Sequence, residues 1–194
     1  MDKPPTRKEI THERIVATAA RALRRGGFDG VGVADIMGQA GLTHGGFYAH
    51  FPSRDALLCE ALERAGQESA ARVAGRPVNV EVGASPFRAF IESYLSDRHL
   101  ASPESGCPVA ALASEMPRQP LAVAKVAAAR IRNLIAAVGD RLPQGTSRDV
   151  AGVIAGQLVG ALQLARAVGD VAEGRALLAA SRRALLEQYD LSAH

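Results

Sequence analysis

Between Val33 and Leu58 the chain carries a pattern that few folds accommodate. An apolar-faced segment, Val33 to Gln39, leads into Gly41-Leu42-Thr43-His44-Gly45-Gly46-Phe47-Tyr48-Ala49-His50-Phe51, then Pro52-Ser53-Arg54-Asp55-Ala56-Leu57-Leu58. A short helix, a glycine turn and a second helix with a polar face is the order of a helix-turn-helix, whose second helix enters the DNA major groove. Gly41 suits the turn that ends the first of these helices. Ser53, followed by Asp55, is a good start for the long helix that follows.

The rest of the chain reads as helix as well. Ala, Leu and Val dominate a composition that is 47% apolar, with no Trp and 4% aromatics. Good helix formers in long windows, without alternating β-branched runs, predict an all-α fold of about nine helices. The first begins near Thr6, where Thr6-x-x-Glu9 is a capping box, or near Thr11, and runs to Arg25. Ile15, Ala19, Ala22 and Leu23 form its apolar stripe, Gly26-Gly27 stops it, and Phe28 turns back to the core. After the helix-turn-helix, the long helix from Ser53 carries Leu57, Leu58, Ala61, Leu62 and Ala65. Residues 75–86 read as a loop. Ser85-Pro86 opens a helix to about His99, and Cys107-Pro108 a short one ending before Pro117. Pro120 to Val138, Ser147 to Val168 and Val171 to Tyr189 complete the set.

Several classes are disfavoured. The two cysteines, Cys59 and Cys107, match no zinc or redox spacing and read as thiols of a reducing compartment. The N-terminus has no apolar secretory core, and Lys125, Arg130 and Arg132 interrupt the apolar run Leu121 to Val138, so a cytoplasmic protein without a membrane span is expected. His44 and His50 are six apart, not at metal-ligand spacing on one helix face, so neither a metal nor a cofactor is expected. His12 and His194 read as surface residues. No convergent acid, base and nucleophile are visible, and Glu115 with His99 is not a site. The chain is not expected to be an enzyme. Charge is less decisive: residues 1–60 carry eight Lys and Arg against seven Asp and Glu. The clusters Lys3, Arg7, Lys8 and Arg21, Arg24, Arg25 read as solvated helix faces.

Residues 10–58 resemble the TetR/AcrR family of bacterial transcriptional regulators: Ile15 to Gly26 as helix one, Val33-Ala34-Asp35-Ile36 as helix two, and Gly41 to Phe51 as turn and recognition helix. The later residues are similar to the family in being helical, of the right length, and ending in two long helices. The resemblance implies a DNA-binding domain at 1–56 and a regulatory, dimerising domain at 57–194. It implies that Thr43 caps the recognition helix and touches a phosphate, that His44, Gly45 and Gly46 face the groove, that Tyr48 and His50 reach backbone or bases, and that Arg54, where the family commonly has lysine, meets a phosphate. Gly46 departs from the commoner Thr, Ser or Ala. The adjacent glycines at 45 and 46 read either as a point of close approach to DNA or as a loose helix that orders on binding.

In the regulatory domain the candidate effector residues are Phe90, Tyr94, His99, Cys107, Leu112 and Met116, with Phe87 beside them, each also readable as core. Cys107 follows Gly106 at a helix start, where the dipole can lower a thiol pKa. The resemblance implies electrophile sensing as one possibility, an inert packed thiol being the other. Gly152, Gly156 and Gly160 repeat every four residues and allow close helix approach. With Leu158, Leu162, Leu178 and Leu185 they form the expected homodimer interface, or else core. The expected function is a ligand-responsive repressor whose dimer binds a palindromic double-stranded operator and releases it on binding a small molecule, an electrophile among the candidates. A ligand-independent architectural DNA-binding dimer and a helical-bundle enzyme are the alternatives.

Overall fold

The computed structural model describes residues 4–30, 32–74 and 85–190. Of the expected loop at 75–86, residues 75–84 lie outside the described residues, as do Lys3 and His194, while Ser85 caps a helix that starts at Pro86. Among the described residues there are nine α-helices and no strand: α1 Arg7–Gly26, α2 Val33–Gln39, α3 Arg54–Ala74, α4 Pro86–Tyr94, α5 Asp97–Ala101, α6 Pro108–Leu112, α7 Leu121–Gly139, α8 Val150–Ala167 and α9 Val171–Tyr189. Short 3₁₀ helices span His44–Ala49, Pro103–Ser105 and Met116–Arg118. The expected number of helices is met by a different route. The recognition segment is 3₁₀ rather than α, and the helix expected from Ser85 to His99 is two.

That division has a local cause. Leu95 is captured at its carbonyl by Arg182, and the Tyr94 carbonyl lies 2.6 Å from His99 Nδ1. Ser96 is extended, and its side chain accepts from the His99 amide at 3.2 Å, so a new helix starts there. Caps legible in the sequence are present elsewhere. Thr6 and Glu9 form the capping box, the Ser53 hydroxyl accepts from the Ala56 amide at 3.1 Å, and Ser85 accepts from Arg88. Gly27 and Gly41, with φ of 75° and 70°, close α1 and α2 in a region that L side chains resist.

The chain divides into two units. The first comprises Met1–Glu68 and Glu104–Ala128, the second Ser69–Pro103 and Ala129–His194. Phe28, Phe47, Phe51, Ile15, Leu23, Ile36, Met37, Leu57, Leu58 and Leu62 are fully buried in the first. Each such side chain contributes about 1.5–3 kcal/mol of transfer free energy. One charged residue joins this interior. Arg24 is 3% exposed, so it is no part of a solvated basic face. It donates to the carbonyls of Ala20, Ala65 and Gly106, and its Nη2 lies 2.6 Å from Glu68 Oε2. Arg64 bridges Glu68 and Glu13. Burial pushes the Glu68 carboxyl up, but bonding to Arg24 and Arg64 prevails and holds it below the ordinary carboxylate range.

In the second unit α8 packs on α9. A Cβ at Gly174 would lie 2.5 Å from the Ala165 carbonyl oxygen, so this glycine permits the close crossing. Asp190, at the end of α9, takes Arg88 Nε at 2.7 Å and the Ser85 hydroxyl at 2.7 Å, tying down the start of α4. Among the described residues α8 alone is long and apolar enough by composition to cross a membrane, a weak signal that a core helix also gives, and its Ile154, Leu158 and Leu162 are buried within the chain.

Candidate nucleic-acid interface

Gly41 stops α2, its amide bonding to Gly38 and that of Leu42 to Met37, each at 2.9 Å. Thr43 is extended and occupies the cap position of the next helix. Its side chain makes no capping hydrogen bond, so only the positional half of the expectation holds. The following 3₁₀ helix is anchored by Phe47, 1% exposed, whose ring stacks on Phe51 at 5.6 Å. Met37 Cε lies 3.7 Å from where a Gly46 Cβ would be, ordinary contact distance. Two glycines in a short segment lower α-helix propensity by about 1 kcal/mol each, which fits a single tight 3₁₀ stretch.

With Phe47 and Phe51 turned inward, Thr43, His44, Gly45 and Tyr48 are exposed. Gly45 and Tyr48 are three apart, and so share one edge of a 3₁₀ helix. Tyr48 is 72% exposed, an aromatic ring left in solvent, and a Cβ added at Gly45 would meet nothing within 4 Å. Nor does Gly45 have a positive φ. Among the described residues, neither packing nor backbone strain requires glycine there.

His50 closes the segment and is half-buried. Its Nδ1 is buried without a hydrogen-bond partner, and its ring lies 6.0 Å from that of His12. Burial, then the charges of His12 and Lys8, lower the His50 pKa below the ordinary imidazole value. His12 is not a simple surface residue. It stacks on Phe51 at 4.5 Å and places Nε2 2.6 Å from Glu60 Oε2, so it supports the recognition segment from behind. Arg54 starts α3 and donates through Nη2 to the Phe28 carbonyl. Among the described residues no three of His, Cys, Asp and Glu come together as metal ligands.

The candidate effector residues fall into two groups. Phe90, Tyr94 and His99 cluster in the second unit. The Tyr94 ring is 4.9 Å from His99 and 6.0 Å from Phe90, and Arg141 lies over the Phe90 ring. His99 Nδ1 is engaged with the Tyr94 carbonyl, and the His99 carbonyl accepts from Arg166 at 2.6 Å. Cys107, Leu112 and Met116 belong to the first unit and are buried, Cys107 at 4% exposure.

On α8 and α9 the expected interface separates by depth. Leu158, Leu162, Leu178 and Leu185 are at most 3% exposed and form the core of the chain itself, which removes them from a surface role. Gly152 and Gly156 are exposed and Gly160 half-exposed, and a Cβ at any of them would meet nothing within 4 Å. Val153 and Leu164 on the same helix are 56% and 62% exposed. The close approach inside the chain uses Gly174, which the spacing of the other glycines did not reveal.

Residues 15–61 match the model of the bacterial regulatory proteins of the tetR family. Over 170 residues the chain is 31% identical to an HTH-type transcriptional regulator of Mycobacterium tuberculosis H37Rv, covering 82% of this chain and 86% of that one. A TetR-family regulator from Agrobacterium tumefaciens has the same fold with a TM-score of 0.73 and 28% identity, over 94% of this chain and 98% of that one. The reduced form of Escherichia coli NemR superposes with a TM-score of 0.71 at 21% identity, over 90% and 96% of the two chains. From its N-terminal helix-turn-helix through its all-helical remainder, the chain belongs to the TetR family of transcriptional regulators.

Proposed function

We propose that the chain is a ligand-responsive repressor that binds a two-fold-symmetric operator as a homodimer and leaves it when a small molecule binds. Residues 1–56 hold the DNA contacts, and 57–194 carry regulation and dimerisation. As a regulator of bacterial genes it acts in the cytoplasm. The observation that carries this reading is the edge formed by Gly45 and Tyr48: an exposed aromatic beside a glycine that no internal neighbour requires. Such an edge suits a duplex lying against the backbone. Tyr48, His50 and Arg54 then position the protein on phosphates while His44 meets base edges. For dimerisation the support is the outer face of α8, with Gly152, Val153, Gly156 and Leu164 exposed. For the effector it is the aromatic cluster of Phe90, Tyr94 and His99. The burial of Cys107 favours a packed thiol over an electrophile sensor.

Base-edge and phosphate contacts separate by experiment. With a duplex enriched by the purified protein and a scrambled control, Tyr48→Ala weakens binding to both alike, whereas His44→Ala changes the preference between them. Equal losses on both duplexes for His44→Ala contradict the assignment of base readout to His44. Gly45→Ala moves stability and affinity in opposite directions. Alanine stabilises a compatible helical position by about 0.5–1 kcal/mol, or about 1–4 °C in Tm for a chain of this size. The added methyl sits where DNA approaches, so affinity falls. Raised Tm with unchanged affinity contradicts close approach.

A further inference from the structure

The two backbone polar groups of Phe28, on the peptide units either side of its Cα, are both taken by side chains distant in sequence. Its N–H donates to Glu115 Oε2 at 2.8 Å, and its carbonyl accepts from Arg54 Nη2. Glu115 comes this close because residue 27 is glycine: a Cβ there would lie 2.6 Å from Glu115 Oε1. A second tie lies one turn earlier on α1, where Arg24 Nη1 reaches the Gly106 carbonyl at 3.3 Å. Thus the segment from Glu104 to Arg118, which carries Cys107, Leu112 and Met116, is fastened to the C-terminal end of α1 at two points, all within the first unit. Arg24 is the fixed point, buried and held by four partners. Glu115 is half-buried and holds the turn that Arg54 grips from the other side.

We propose that Glu115 is a positioning residue for DNA binding: through the Phe28 peptide it orients Arg54, so that a shift of the 104–118 segment alters the phosphate contact of Arg54. This rests on the regulator reading above. It supplies a route for the effector signal through α1 and the first residue of α3, independent of any bending along α3. A guanidinium presents its donors in a rigid plane, so a carbonyl that fixes one Nη fixes the direction of the others. When Glu115 leaves the Phe28 amide, that residue loses one of its two backbone anchors, and its φ and ψ, hence the direction of its carbonyl, are no longer held from both sides. The contact from Arg54 is then misdirected.

The test uses a duplex selected from a random pool by the wild-type protein, with affinity read by fluorescence anisotropy over a range of salt. Glu115→Ala should bind about 10-fold more weakly, within the usual range of coupling between sites. Its salt dependence should fall by about 0.9 in log–log slope per subunit, one phosphate contact each. Glu115→Gln, whose amide oxygen still accepts from Phe28, should stay within about threefold of wild type, since the neutral acceptor is the weaker one. The double variant Glu115→Ala with Arg54→Ala should bind no more weakly than Arg54→Ala alone, because both act on one contact. In the free protein, amide exchange at Phe28 should quicken in Glu115→Ala. Losses that multiply in the double variant, an unchanged salt slope, or unchanged exchange at Phe28 overturn the proposal. A wild-type chain that selects no duplex overturns the regulator reading itself, and does so before any variant is made.

Discussion

Gly156→Arg should convert the protein to a folded monomer and weaken operator binding by about 100-fold or more, the scale lost when two linked contacts become one. Nothing inside the chain opposes the substitution, since a Cβ at Gly156 meets open space and the position is exposed. Arginine also has the better helix propensity. In the proposed dimer, however, the long charged side chain would enter a face made of glycine with Val153 and Leu164, where two helices are expected to approach closely. Sedimentation and operator binding measured together decide the matter. A variant that remains dimeric with undiminished affinity moves the interface off α8.

Arg24→Ala should cost about 3 kcal/mol of stability, because a buried ion pair broken on one side leaves polar groups uncompensated. Glu68 keeps Arg64, but the Gly106 carbonyl loses its arginine donor. For a chain of this length the loss corresponds to about 6–12 °C in Tm. The deficit should shrink in acid. Glu68 is held below its unfolded pKa, so its contribution is complete above the ordinary carboxylate value of about 4.3. It is lost as pH falls through the lower folded value, and the gap between wild type and variant then narrows to what the carbonyl contacts of Arg24 contribute. A loss below about 1 kcal/mol at neutral pH, smaller than a single hydrogen bond to a charge, would contradict the structural role given to Arg24.

Features decided by neighbours in sequence were legible beforehand. Thr6 with Glu9, Ser53 and Ser85 cap their helices through bonds three residues long, and Ile15, Leu23, Leu57 and Leu62 fall on stripes that periodicity exposes. What escaped depends on partners far along the chain. Arg24 looked like one cation in a solvated cluster because its partners Glu68 and Gly106 are 44 and 82 residues away. Glu115 meets Phe28 across 87 residues, and His12 meets Glu60 across 48. Periodicity also groups the residues of a helix face without saying what will cover it. Spacing alone leaves the leucines of α8 and α9 and the glycines of α8 readable as interface or as core; the leucines are core, and the glycine face of α8 is open.

The near-neutral charge of residues 1–60 acquires a physical sense from these pairings. Within that segment Glu13 pairs with Arg64 and Glu60 with His12, while the cation Arg24 is taken by Glu68. On the proposed reading, DNA affinity rests on placed contacts from Thr43, His44, Tyr48, His50 and Arg54, doubled by a two-fold axis. The most direct measurement is to sequence the DNA that the purified protein retains from a random pool. The expected result is an inverted repeat whose half-sites are centred about one helical turn apart, or a multiple of it, and whose retention fails for Tyr48→Ala. Recovery of DNA with no two-fold symmetry, or equal recovery by Tyr48→Ala, would contradict it.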